Sequence, residues 1–154
     1  MMPTSGCRRW VVAALAAAAT VTTPVRADNL IARITHDDVL RLLVAGESIV
    51  FVDAREADEW AEERLPGAVQ LPLREIVGDR LQSVPKDATL VAYCIKDFRG
   101  FEVARALQRS GYRVRVLEDP GLQGWKKAKL PTAGDLAKRG DAEAALALQH
   151  RARR

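Results

Sequence analysis

From Thr35 onward the chain switches repeatedly between helical and extended spacings of apolar residues. Thr35-His36-Asp37-Asp38 opens the first helical stretch, with a hydroxyl placed to cap it and acids suited to the positive end of its dipole. Val39, Leu40, Leu42 and Leu43 supply an apolar stripe, and Gly46 ends it. Residues 48–53 (SIVFVD) form an apolar, β-branched run, as expected of a parallel strand buried on both faces. Residues 56–63 predict a short acidic helix stopped by Leu65-Pro66-Gly67-Ala68. Val69-Gln70-Leu71 predicts a short strand broken by Pro72, followed by a weak helix near 74–77.

The pattern then repeats. Residues 89–93 (TLVAY) predict a strand that ends at Cys94. After a loop over 95–99, a helix is expected over 100–110, with Phe101, Val103, Ala104 and Leu107 inward and Gly111 closing it. Residues 113–117 (RVRVL) alternate, which predicts a strand with one wetter face. Asp119-Pro120-Gly121 reads as a turn, and Gly124-Trp125 as the opening of a short helix. Alternating strands and helices with short connections predict an α/β fold, an open parallel sheet flanked by helices on both faces in a single domain. Beyond Pro131 the chain becomes rich in Ala, Lys, Arg and Asp. A last helix capped by Asp141 and running to Arg151 has an apolar face made mostly of alanine, so it is expected to pack weakly at the periphery.

At 154 residues there is room for one ordinary domain, and 48% apolar with 29% charged residues is the balance of a folded, soluble chain. The first 27 residues differ in kind. Arg8 and Arg9 precede an apolar, alanine-rich run to Ala19, and Val25-Arg26-Ala27 supplies a small-residue cleavage pattern. This is the order of a signal peptide, too short in its apolar part for a comfortable bilayer span. Two arginines in that position also fit, more weakly, a twin-arginine signal. The expected organisation is a signal over 1–27, a domain over 28–132 and a helical extension over 133–154. The expected location is periplasmic or secreted.

Export changes two other readings. The net charge of +4 falls to +1 without Arg8, Arg9 and Arg26, and the last four residues hold three arginines more. The basic character therefore sits at the two ends, and no basic face interleaved with aromatics suggests nucleic acid. Cys7 leaves with the signal, so Cys94 is the mature chain's single thiol. A lone thiol in an oxidising compartment is either buried as a small hydrophobe or put to use.

Its surroundings favour use. Cys94 ends an apolar strand just before a helix, the place where open α/β sheets bind ligands. The helix N-terminus and the loop amides carry partial positive charge, and Lys96 and Arg99 add two cations. Such an environment favours the thiolate, which is the nucleophilic form, and attracts an anion. Asp53, Arg55 and Glu59 are expected to fix the neighbouring loop through ion pairing, and Trp125 to pack in the core or wall the pocket. His36 and His150 are isolated and, with one cysteine, make no metal set.

At these residues the sequence resembles the rhodanese family, over about 34–130. Asp53-Ala54-Arg55, Glu59 and Leu65-Pro66-Gly67-Ala68 are similar to its first signature; Leu90 to Cys94 with Arg99 resemble its catalytic strand and loop; Gly111-Tyr112 and Gly124-Trp125 match later landmarks. The resemblance implies a sulfurtransferase without metal or organic cofactor. Cys94 would take sulfane sulfur from an anionic donor such as thiosulfate and pass it to a thiol, cyanide or a protein acceptor. Ile95, Lys96, Asp97, Phe98, Arg99 and Gly100 would form the substrate loop. No nucleic acid and, apart from export, no membrane partner is expected, and the protein is expected to be a monomer.

Three positions depart from the family pattern. Asp97 stands where glycine is usual, Gly100 where serine is usual, and Arg64 where the first signature has histidine. An acid at 97 would oppose a doubly charged donor, which favours an alternative: a persulfide carrier or anion-binding module with low turnover, serving a protein partner. Related loops also serve phosphatases and arsenate reductases, but those resemble Cys-x5-Arg and this chain has Cys-x4-Arg.

Overall fold

In the computed structural model, which describes residues 30–76, 78–96, 98–118 and 120–154, five parallel strands form one sheet in the order β1-β5-β4-β2-β3. The strands are β1 (Arg33–Ile34), β2 (Ile49–Asp53), β3 (Val69–Gln70), β4 (Thr89–Tyr93) and β5 (Val114–Leu117). Between them run α1 (His36–Val44), α2 (Ala57–Glu62) and α3 (Phe98–Arg109), and α4 (Gly121–Lys127) and α5 (Asp141–Ala152) follow β5. Two 3₁₀ turns, Leu73–Glu75 and Gly78–Ser83, replace the weak helix expected after β3. The expected signal segment, the Asp119 turn and Asp97 lie outside the described residues. Among the described residues no helix is long and apolar enough to cross a membrane.

The apolar runs explain the layering. Successive residues of a strand face opposite sides, so a run apolar at every position must be covered on both. Val52, Leu90, Ala92, Val114 and Val116 turn to one face and meet Val103, Ala104 and Leu107 of α3. Phe51, Val91, Tyr93 and Leu117 turn to the other and meet Val39, Leu122, Trp125 and Leu148 from α1, α4 and α5. The β2–β4 pair is the longest, registering Ile49 with Thr89 through Asp53 with Tyr93. That register brings the carboxyl ends of β2 and β4 side by side.

Local signals worked as expected at α1, where the Thr35 hydroxyl accepts from the Asp38 amide at 3.1 Å. They did not at α5. Asp141 does not cap its own helix, because Gly140 holds that position. Its carboxylate instead accepts from the Gly67 amide at 2.8 Å and from both Nε and Nη2 of Arg64, the latter at 2.6 Å. Ala144 and Leu148 are buried, and α5 lies against α1. The expectation of a weakly packed appendage is therefore corrected. Small alanine side chains let the helix come close, and an ion pair holds its first turn. The same contact accounts for arginine at 64, whose guanidinium lies 3.9 Å above the Trp60 ring while reaching α5.

This clamp makes an acid-sensitive contribution. Burial alone would raise the Asp141 pKa, but hydrogen bonds from Arg64 and Gly67 outweigh it, and the carboxyl is held below its ordinary value. A depressed carboxylate stabilises the fold above its unfolded value of about 3.9, and loses that contribution as pH falls through the lower folded one. Glu59, lowered chiefly by the hydrogen bonds from Arg99, adds to the same slope. Thermal melts should therefore fall steeply below about pH 4, and Asp141→Asn should flatten that fall. At neutral pH the variant should lose about 1 kcal/mol, held low because Asp141 is partly exposed. An unchanged acid profile would show that the clamp does not contribute.

Candidate active site

The site grows from the adjacent ends of β2 and β4. Asp53, Arg55 and Tyr93 are all buried there and satisfy one another. Asp53 accepts from the Arg55 amide at 3.0 Å and from its guanidinium Nε at 2.9 Å and Nη2 at 2.6 Å. The Tyr93 hydroxyl donates to Asp53 at 2.7 Å and accepts from the Leu65 amide at 3.0 Å. Arg55 also reaches the Glu63 carbonyl. Burial and then the Asp53 charge push the Tyr93 phenol well above its usual range, so it remains a donor. Burial would lower the Arg55 pKa, but its bonds and attraction to Asp53 raise it overall. The network locks the loop after β2 against the residue preceding Cys94.

Cys94 follows directly. It is only 3% exposed, and its carbonyl accepts from the Leu122 amide of α4 at 2.9 Å. Cys94, Ile95, Lys96, Phe98 and Arg99 line an open depression of about 380 Å³. The structure thus brings together five of the residues singled out from the sequence. Phe98, 72% exposed, stands on the rim.

Arg99 and Gly100 differ from expectation in position. The helix begins at Phe98, so Arg99 belongs to its first turn rather than to the loop before it. Gly100 does not line the depression. It is pressed on the end of β4, where an added Cβ would lie 2.9 Å from the Tyr93 carbonyl carbon. Close approach of helix and strand thus accounts for glycine where the family pattern has serine.

A pairing that sequence reasoning left undrawn joins the loops after β2 and β4. The Arg99 guanidinium makes two parallel bonds to Glu59, Nη1 to Oε2 at 2.6 Å and Nη2 to Oε1 at 2.8 Å. Those bonds, against some burial, raise the Arg99 pKa, and Cys94 is among the nearby groups that add to it. Glu59 also closes the α2 capping box with Glu56. Lys96 is exposed and makes no ion pair among the described residues.

Trp125 does not wall this depression. It is 1% exposed, packs edge-on against Phe51 with ring centres 5.4 Å apart, and donates to the Pro131 carbonyl at 2.8 Å. Among the described residues no group of three or more His, Cys, Asp or Glu side chains is placed to hold a metal ion.

Comparison with known proteins agrees with this layout. The family model described as the rhodanese-like domain matches residues 35–128, from the cap of α1 through the end of α4. The chain belongs to the rhodanese-like domain family. A sulfurtransferase of Allochromatium vinosum is 30% identical over 103 residues, 66% of this chain and 94% of that protein. An HTH-type transcriptional regulator of Mycobacterium tuberculosis is 34% identical over 100 residues, which span 64% of this chain but only 43% of the regulator. Among solved structures, the thiosulfate sulfurtransferase of Pseudomonas aeruginosa superposes with a TM-score of 0.58 at 29% identity, covering 68% of this chain and 20% of that one. The rhodanese-like domain thus occurs within longer proteins as well as in one matched over nearly its whole length.

Proposed function

We propose that this protein is an exported sulfurtransferase that carries sulfane sulfur as a persulfide on Cys94. The thiolate Sγ attacks the outer sulfur of an anionic donor. With thiosulfate, the donor's S–S bond breaks and sulfite leaves with the electron pair. The persulfide's terminal sulfur then passes to a thiol, cyanide or a protein acceptor, regenerating the thiolate. This is covalent catalysis in a site whose fixed positive groups favour anions.

The observation that carries the reading is the position of Cys94. A thiol at the end of the central strand β4, ahead of a helix N-terminus and with Lys96 and Arg99, lines a surface depression while its own body packs in the core. The relatives named as sulfurtransferases support the same chemistry. Intact-mass analysis of the exported protein tests the proposal in one measurement. The chain should begin at or near Asp28, and thiosulfate should add one sulfur atom of mass that dithiothreitol removes. A thiol unchanged by thiosulfate or polysulfide would overturn it.

One observation favours a second reading, a low-turnover carrier serving a protein partner. The Glu59 carboxylate already occupies the guanidinium that would hold a dianion. A Bacillus subtilis protein named as a sulfur carrier is 28% identical over 79 residues, 51% of this chain and 42% of that protein. A carrier would form the adduct stoichiometrically yet turn over slowly with cyanide.

A further inference from the structure

Resting on the assignment of sulfur transfer to Cys94, we infer that the site takes its sulfur from a singly charged organic donor, a thiosulfonate, rather than from thiosulfate. Phe98 and Glu59 are the residues that determine this preference.

The argument begins with charge. Between Cys94 and Arg99 the cations are Lys96 and Arg99 alone. Arg99 is engaged at both terminal nitrogens by Glu59, at 2.6 and 2.8 Å, so that pair presents almost no net charge to a ligand. One exposed cation, Lys96, then faces a reacting thiolate. Coulomb energy scales with the ligand's charge, so a dianion meets twice the repulsion of a monoanion from the thiolate, and with Arg99 neutralised by Glu59 only Lys96 is left to offset it.

Shape points the same way. The depression is open, and Ile95 and Phe98 give it apolar walls beside the sulfur. A phenyl ring left 72% exposed at the mouth of a nucleophile's site offers surface that thiosulfate, with no carbon, cannot cover. An organic substituent on the donor can. The reaction remains balanced. Cys94 thiolate and a thiosulfonate monoanion give Cys94 persulfide anion and a sulfinate anion; one S–S bond forms, one breaks, and the electron pair leaves on the sulfinate sulfur.

The test compares three probes on the full mature protein: thiosulfate, methanethiosulfonate and benzenethiosulfonate. Each kcat/KM is divided by that probe's rate with free dithiothreitol, which removes intrinsic reactivity. Methanethiosulfonate should exceed thiosulfate, and benzenethiosulfonate should exceed methanethiosulfonate by about tenfold from ring burial against Phe98. Phe98→Ser should collapse that second ratio towards one. Glu59→Gln, which keeps size and frees the guanidinium, should help thiosulfate more, with about twice the logarithmic gain of methanethiosulfonate. On wild type, salt should leave thiosulfate kinetics flat or improve them, whereas two free cations would make them fall steeply. Thiosulfate equal or superior after normalisation, a benzene-to-methane ratio that survives Phe98→Ser, or a steep fall with salt would overturn the inference. If no probe loads Cys94, the sulfur-transfer reading itself fails, and the mass measurement distinguishes that case.

Discussion

Cys94→Ser is expected to lose the sulfur adduct and to reduce sulfur transfer by at least about a thousandfold, because no other group at the site can take its place as nucleophile. Cys7 lies in the segment expected to be removed, and the mature chain is then expected to hold no second thiol. Serine is close to isosteric, but its alkoxide is inaccessible at neutral pH and its oxygen forms no persulfide. The fold should survive. Cys94 packs in the cluster with Val103, Ala104 and Ala92, so a hydroxyl there costs about 1–3 kcal/mol if it finds no partner. Melting temperature and activity must therefore be measured together. A folded serine variant that keeps wild-type turnover would remove the covalent mechanism. One that loses turnover but still gains sulfur mass would move the sulfur elsewhere.

The place of Cys94 at the end of a buried strand was accessible from the sequence because its signals are local. A run such as SIVFVD or TLVAY, apolar at successive positions, leaves little choice but a two-sided burial, and a cysteine at its end falls at the sheet's edge of chemistry. Where the deciding contact is distant, the sequence carries less. β1 is two residues long with Arg33 exposed, and pairing with β5 alone makes it a strand. The first turn of α3 was hidden because Phe98, which opens it, is exposed and the buried face begins only at Gly100, a residue that reads as a break. Glu59 and Arg99 lie forty residues apart. Their meeting follows from β4 lying beside β2, a strand order that periodicity does not encode. The packing of α5 departs from expectation for a related reason: an alanine face predicts weak adhesion, and the Arg64–Asp141 pair, separated by 77 residues, is visible in neither segment alone.

The same limitation applied to Gly121, which reads as a turn residue and proves to be the first residue of α4. Gly121→Ala is expected to destabilise the protein by about 2–4 kcal/mol and to reduce sulfur transfer by about a hundredfold or more. Gly121 has φ +53, in the left-handed region where a side chain costs roughly 1–2 kcal/mol. The larger effect is steric. An added Cβ would stand 2.1 Å from the Cys94 carbonyl oxygen and 2.7 Å from that of Lys96. Both are backbone atoms, so no rotamer change can relieve the contact. Either α4 retreats, losing the Leu122 amide's bond to Cys94, or residues 94–96 move. In the first case the Cys94 loop loses its tether, and in the second the nucleophile and Lys96 shift relative to Arg99, which Glu59 keeps in place. A displacement of about 1 Å between reacting groups is enough to cost two orders of magnitude. Gly140→Ala is the matched control, since it precedes α5 with nothing within 4 Å of its added Cβ and should change stability by no more than about 1 kcal/mol, the poorer cap being set against a stiffer unfolded chain. The decisive reading is kcat/KM at a temperature where the variant is fully folded. Wild-type transfer there would mean that α4 does not hold the Cys94 loop in its working geometry.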